Sequence, residues 1–154
     1  MKMRHLVPLL VMFLVWLPAH GSECPITVPN MEDPFGTTNP SSSHGWYGSE
    51  ELAALIPKDG HWVGMGPDRN YSDKFWWWRR GYNARKEPNP ELIISGTRLD
   101  GPATPVLVTD TTNGYGENWS AMLVGMEFPT AGCWEIIGKY HGHELKLIVK
   151  VGGS

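Results

Sequence analysis

The stretch 144–151, which reads Glu-Leu-Lys-Leu-Ile-Val-Lys-Val, decides the fold class of this chain. Apolar side chains stand at positions 145, 147, 149 and 151, with Glu144, Lys146 and Lys150 between them and Ile148 as the exception. A repeat of two residues is the spacing of a β-strand with one buried face and one wet face. The pattern therefore predicts a strand that turns its odd-numbered side chains toward the core.

The residues just before this stretch predict its partner in a hairpin. Trp134 to Tyr140 is a second strand candidate, and His141-Gly142-His143 separates the two. A glycine between two strands suits the positive φ of a tight hairpin turn. We therefore expect an antiparallel hairpin at the C-terminus.

Shorter strand candidates lie upstream, and turns rich in proline and glycine separate them. Seven or so short strands with such turns indicate an all-β sandwich or barrel. Gly96, inside one candidate, suggests a bulge. Strands are expected at 61–63, 74–79, 91–99, 106–109 and 121–128, loops at 83–90 and 110–118, and either a helical turn or a short strand at 49–56.

The N-terminus has the three parts of a secretory signal peptide. Lys2 and Arg4 form a positive start, an apolar run covers 6–17, and Ala19-His20-Gly21 supplies small residues for cleavage after Gly21. The apolar run is shorter than the roughly 20 residues that span a bilayer, so a permanent membrane anchor is the weaker interpretation. We expect residues 1–21 to be removed and the protein to be exported.

The remainder is expected to form an arm at 22–45, rich in proline and serine, and one domain at 46–154. Loss of Lys2 and Arg4 leaves 11 basic residues against 16 acidic ones, a net charge of −5. An acidic surface of this kind argues against nucleic acid or an anionic membrane as the partner.

Both cysteines, Cys24 and Cys133, follow the expected cleavage point. Two cysteines in an exported chain most simply form one disulfide, which would pin the arm to the body. The alternative is a lipid on Cys24 at the new N-terminus. Glu23 occupies a position where lipoprotein signals have a small residue, which favours the disulfide.

The segment 128–136 resembles the entry to the penultimate strand of immunoglobulin-like sandwiches. There a small residue and a glycine precede an aromatic that packs at the corner of the sandwich. Trp134 stands where that fold has its corner tyrosine, and an indole has only an N–H to donate. The resemblance implies an immunoglobulin-like β-sandwich.

Three blocks are also similar to a family of exported bacterial proteins without an assigned activity. The resemblance implies a β-sandwich in the cell envelope or outside the cell, and it implies no reaction. The blocks lie at 73–79, at 94–102, and at 128–136 together with 142–145.

An aromatic and basic cluster is the first candidate binding region. Alternation along a strand sends Trp76 and Trp78 to one face and Phe75 and Trp77 to the other, so one set can be core while the other is exposed. Exposed tryptophan beside arginine suits sugar rings or a protein partner, whereas covered tryptophan is packing. The candidate binding residues are Trp76, Trp77, Trp78, Arg79, Arg80 and Tyr82.

The pair His141 and His143 is the candidate metal site. In a regular strand the two rings would share a face and could bind copper or zinc with a third ligand such as His61. If Gly142 instead forms the expected hairpin turn, the two histidines are solvated turn residues.

The sequence favours an exported, non-catalytic binding or interaction module whose partner is a protein or a carbohydrate, in the periplasm or outside the cell. It contains none of the local motifs of a nucleophile elbow, a zinc protease or a phosphate loop, and no cofactor is expected. The alternatives are a periplasmic metal-binding domain that uses His141 and His143, and a small secreted hydrolase.

Overall fold

The computed structural model of the protein describes residues 23–36, 43–64 and 71–152. Within these ranges the backbone forms ten β-strands and no helix, so the predicted all-β class is confirmed. The expected signal peptide at 1–21 lies outside the described residues.

The strands form two sheets. The larger sheet contains six strands: β1 (His44–Ser49), β2 (Leu52–Pro57), β4 (Ser72–Trp78), β6 (Leu107–Val108), β7 (Thr112–Tyr115) and β8 (Ser120–Glu127). The smaller sheet contains four: β3 (His61–Trp62), β5 (Ile93–Arg98), β9 (Gly132–Tyr140) and β10 (His143–Val151).

Neighbouring strands are antiparallel except for one pair. The larger sheet has the order β1-β2-β4-β8-β6, with β7 also on β8, and the smaller sheet has the order β3-β10-β9-β5. β3 pairs with β10 in parallel, and this pairing joins residues 61–62 to the end of β10. Each sheet thus combines a hairpin of consecutive strands with strands that are distant in sequence.

The C-terminal hairpin forms as predicted. β9 and β10 pair from Tyr140 opposite His143 to Gly132 opposite Val151. His141 and Gly142 both have positive φ, 47° and 81°, which is the conformation of a type I′ turn. The alternating side chains Leu147, Val149 and Val151 are fully buried.

The structure resolves one open alternative and corrects two details of the strand prediction. At 49–56 the short strand is the right alternative, since β2 forms there and makes a hairpin with the unpredicted strand β1. β7 lies inside the expected loop 110–118. Gly96 makes no bulge, since pairing of β5 with β9 is continuous; a side chain at Gly96 would press on Val106 instead.

Aromatic side chains fill the space between the two sheets. Trp62 packs edge to face on Phe75 and Phe128, with ring centroids 5.0 and 5.3 Å apart, and Phe128 packs in the same way on Trp134 at 5.4 Å. Trp77 of the larger sheet lies over Gly138 of the smaller one, where any side chain would overlap the indole. The molecule is therefore a β-sandwich with a continuous aromatic core.

Residues 23–36, here called the strap, run along one side of the sandwich. The predicted disulfide is confirmed: Cys24 is bonded to Cys133 at the start of β9, with the two Cα atoms 5.5 Å apart. The Thr27 N–H donates to Ile148 O at 3.0 Å, and the Ile148 N–H donates back to Thr27 Oγ1 at 2.8 Å. The strap thus begins on the smaller sheet.

The strap then crosses to the larger sheet. The N–H groups of Asn30 and Met31 donate to Trp46 O, both at 3.2 Å, and the Gly48 N–H donates to Asn30 Oδ1 at 2.8 Å. These bonds pair the strap with part of the free edge of β1, at Trp46 and Gly48. The strap therefore closes one side of both sheets before it reaches the outer face of the larger sheet.

No segment of the described ranges forms a helix with the length and apolarity needed to cross a bilayer.

Candidate functional site: an aromatic groove on the larger sheet

The tryptophan run of β4 divides between the two faces of the larger sheet. Phe75 and Trp77 point inward and are buried, with Trp77 fully inaccessible, whereas Trp76 and Trp78 point outward and are partly exposed. This division follows from the alternation of side chains along a strand.

Neighbouring strands extend the outward aromatic row. Trp46 of β1 stands opposite Leu55 of β2, and Leu55 stands opposite Trp76 of β4. Residues directly opposite each other in a sheet share a face and touch. Three consecutive strands thus present one continuous apolar row to the outside.

Trp119 adds a second wall from the turn before β8. Its ring lies edge to face on Trp76, with centroids 5.7 Å apart and planes at 84°. The Trp76 ring lies against Gly114, and the Trp119 ring lies against Gly116. A Cβ on Gly114 would come within 2.6 Å of Trp76 Cη2. The two indoles are therefore seated on glycine backbone, which restricts their movement.

Phe35 of the strap completes the aromatic cluster. Its ring centroid lies 5.8 Å from that of Trp46, 6.0 Å from that of Trp78 and 6.2 Å from that of Trp119. The strap thereby contributes a side chain to the outer face of the sheet, where it sits among three tryptophans.

Together these side chains enclose an open groove of about 590 Å³, here called the aromatic groove. This volume is within the range of small-molecule sites, about 300–1,000 Å³. Its walls are mainly apolar, and its ionisable members are Asp33, His44 and Lys58. The groove is lined by Met31, Asp33, Phe35, His44, Gly45, Trp46, Leu55, Lys58, Trp76, Trp119 and Ala121.

A more polar basin of about 400 Å³ adjoins the groove and shares Phe35 and Trp119 with it. Within the basin the Arg85 guanidinium lies 5.1 Å above the centroid of the Tyr115 ring, a cation–π arrangement. Its other lining residues are Pro34, Trp78, Tyr82, Asn83, Gly116, Glu117, Asn118 and Ser120.

The six predicted binding residues do not form one surface. Trp76 lines the groove, and Trp78 and Tyr82 line the basin. Trp77 belongs to the core, so a partner of the folded domain does not reach its side chain. Arg79 and Arg80 lie at the end of β4 and belong to neither lining set.

Side-chain contacts between loops hold that end of the sandwich together. Arg80 pairs with Glu50 in the β1–β2 turn, and the Arg80 N–H also donates to Glu50 O at 2.7 Å. Arg79 Nη1 lies 3.4 Å from His141 Nδ1, a ring nitrogen of the β9–β10 turn. The two arginines therefore connect hairpin tips to the loop that follows β4.

The two histidines of the candidate metal pair face different carboxylates. His141 Nε2 lies 3.3 Å from Glu87 Oε1, and His143 Nδ1 pairs with Glu51. His61, the suggested third ligand, pairs with Asp59. Within the described ranges no three side chains of the His, Cys, Asp and Glu types are grouped so that they could hold a metal ion.

Glu87 links His141 to two buried tyrosines. The Tyr140 hydroxyl donates to Glu87 Oε2 at 2.6 Å, and the Tyr82 hydroxyl donates to Glu87 O at 3.2 Å. Burial raises the pKa of Tyr82 to about 12, and burial together with the Glu87 contact raises the pKa of Tyr140 above its ordinary value. Both phenols therefore stay protonated at neutral pH and act as hydrogen-bond donors.

Sequence reasoning missed several groove residues. Phe35 lies in a segment without periodicity, and Trp46 belongs to a strand that was not predicted. One local signal was available. Trp46 and Gly48 alternate on one face of β1, opposite Leu55 and Ala53 of β2. The small residues on this face leave room for large rings. The meeting of Trp76 with Trp119 depends on pairing of β4 with β8, and no local pattern gives that pairing.

Comparison of the chain with protein-family models, with curated proteins and with solved structures gave no match.

Proposed function

We propose that this protein is an exported, non-catalytic binding module that takes its ligand in the aromatic groove. One observation carries the proposal: four aromatic side chains from the strap, β1, β4 and the turn before β8 converge on one open groove. Convergence of rings from distant segments on an outer face favours a binding surface over core packing.

The groove offers a rigid apolar contact. Trp76 and Trp119 rest on glycine backbone, so a ligand would meet side chains that are already held in place. Binding to ordered side chains costs less conformational entropy than binding to mobile ones.

Ring geometry bears on the chemical class of the ligand. Trp76 and Trp119 are nearly perpendicular, and Phe35 is edge to face with Trp46 and Trp78. Sugar rings stack best on flat, coplanar aromatic surfaces, whereas perpendicular rings make walls that surround an aliphatic or aromatic group. The geometry therefore supports an apolar group from a protein or small molecule more than a stacked carbohydrate.

Export is the second part of the proposal. It is supported by the signal-peptide pattern at 1–21 and by the disulfide, which is typical of oxidising compartments. Intact mass of the protein recovered outside the cytoplasm, with and without reductant, tests this part. We expect a chain that begins at Ser22 and gains the mass of two hydrogens on reduction; an uncleaved chain, or a lipid on Cys24, contradicts it.

We also infer an immunoglobulin-like arrangement of the sandwich. In chain order β4, β5, β6, β8, β9 and β10 correspond to strands B, C, D, E, F and G, because β4, β8 and β6 are neighbours in one sheet and β5, β9 and β10 in the other. The Trp134 N–H donates to Thr130 O at 3.1 Å, as a corner tyrosine hydroxyl would. An experimental structure with another strand order would contradict this assignment.

Titration with Nile red, a neutral apolar dye whose emission rises in apolar surroundings, tests the binding function. We expect Trp119→Ala to weaken dye binding roughly tenfold, about 1.4 kcal/mol, because it removes one wall of the groove. Leu107→Ala is the matched control, since Leu107 is an exposed apolar residue outside the groove. Equal dye binding by wild type, Trp119→Ala and Leu107→Ala would overturn the proposal.

A further inference from the structure

We infer that the ligand of the aromatic groove is a single-chain anionic amphiphile, whose apolar tail lies along the tryptophan walls and whose acidic head meets Lys58. This inference rests on the proposed binding function and adds the charge and shape of the ligand. It follows from where the ionisable residues of the groove lie and from which of them already have partners.

The charged end of the groove is formed by residues near edge strand β1. Lys58 directly follows β2, and its N–H donates to Ser43 O at 2.9 Å just before His44. Trp119 lies at the opposite end, in the turn that enters β8. Charge at one end and aromatic walls along the rest is the distribution that an amphiphile fits.

Asp33 and His44 are already engaged within the protein. Asp33 Oδ1 accepts the Phe35 N–H at 2.9 Å and thereby closes the turn that positions the Phe35 ring. His44 Nδ1 lies 3.0 Å from Ser43 Oγ. Asp33 keeps its negative charge and, as a carboxylate, offers an anionic ligand no hydrogen-bond donor.

Lys58 differs from them. Among residues 23–36, 43–64 and 71–152, no carboxylate oxygen lies within 4.0 Å of its ammonium nitrogen. A lysine that lines an apolar groove and lacks an acidic partner is complementary to an anionic ligand group. Lys58 is exposed, so an anionic group in the groove can reach its side chain.

The length of the groove sets the length of the tail. Lining residues extend from Trp46 on β1 through β2 and β4 to Ala121 on β8, which is three strand spacings or roughly 14 Å. An extended decyl chain is of comparable length. A single alkyl chain of this length can lie along the row formed by Trp46, Leu55 and Trp76.

Calorimetric titration of the oxidised mature protein tests the inference with three soluble probes that share one tail: decanoate, decanol and decylammonium, all below the concentration at which they form micelles. We expect decanoate to bind at least fivefold more tightly than decanol, and decylammonium to bind more weakly than either. Raised salt should reduce the preference for decanoate, because ions screen the Lys58 charge.

Two lysine variants locate the effect. Lys58→Gln should remove the preference for decanoate over decanol. Lys86→Gln is the matched control, because Lys86 is an exposed lysine on the loop after β4 and does not line the groove. A preference for decanoate that survives Lys58→Gln would overturn the inference.

The remaining outcomes separate this inference from the proposed function. If decanol and decanoate bind equally and binding of both depends on Trp119, the proposed binding function is supported. The inference that the ligand has an anionic head group is then wrong. If none of the three probes binds and Nile red does not bind either, both proposals fail. Binding to phosphatidylglycerol vesicles without binding of monomeric decanoate would assign the groove to a membrane surface and overturn the single-chain ligand.

Discussion

Strand β4 places aromatic rings on both of its faces, and the two faces behave differently. The inward rings of Phe75 and Trp77 pack against the smaller sheet and reach no solvent, whereas the outward rings of Trp76 and Trp78 are covered only in part by Phe35 and Trp119. Both pairs come from one uninterrupted run of sequence. The comparison teaches that residue type does not separate a core tryptophan from a surface tryptophan. What separates them is whether a second layer covers the ring.

The largest expected effect concerns the inner face. Trp77→Ala should lower the free energy of unfolding by about 4 kcal/mol, because it leaves a large cavity over Gly138. Trp119→Ala, on the outer face, should cost less than about 1.5 kcal/mol because the residue is already exposed by more than a third. Urea denaturation of both variants measures the difference, and equal losses would contradict the division between the faces.

Removal of the disulfide should have the next largest effect and should act on the outer face. The double variant Cys24→Ser with Cys133→Ser opens a bridge between residues 109 positions apart and should cost about 3 kcal/mol. The free strap end should also loosen Phe35, so quenching of tryptophan fluorescence by acrylamide should increase in the folded state. Unchanged quenching would mean that the hydrogen bonds of Asn30 and Met31 hold Phe35 without the bridge.

A smaller effect distinguishes tryptophans within the core. The Trp134 N–H donates to Thr130 O, whereas the buried Trp77 N–H has no hydrogen-bond partner among the described residues. Trp134→Phe should therefore destabilise the protein by about 1 kcal/mol more than Trp77→Phe, because only the first loses a hydrogen bond. Denaturation of the two variants side by side provides the measurement, and the reverse order would contradict the bonding difference.

Local patterns account for much of this fold and for little of the site. The alternation at 144–151 and the glycine at 142 predict the hairpin, since both act over a few residues. The groove requires Phe35, Trp46, Trp76 and Trp119 to meet, and their contacts depend on strand register and on the path of the strap. Glu87 escaped prediction for the same reason, because its partner Tyr140 lies 53 positions away in sequence and His141 follows Tyr140 in the β9–β10 turn.

The smallest expected effect is a loss of stability at alkaline pH that arises on the inner side of the sandwich. Burial raises the pKa of Tyr47 to about 12, and its hydroxyl donates to Pro57 O at 2.7 Å. A phenol whose pKa is higher in the folded state than in the unfolded state favours folding below pH 10.0, its ordinary value, and this contribution is lost as the pH rises through about 12.

Tyr47→Phe tests the alkaline effect, because phenylalanine has no proton to release. The variant should lose a hydrogen bond worth about 1 kcal/mol at neutral pH. Between pH 10.0 and about 12 its stability should then fall less steeply than that of the wild type. Tyr115→Phe, at an exposed outer position, is the matched control and should keep the slope of the wild type. If the stability of Tyr47→Phe falls as steeply as that of the wild type, groups other than Tyr47 cause the alkaline loss. Tyr47 would then not distinguish the inner face from the outer face.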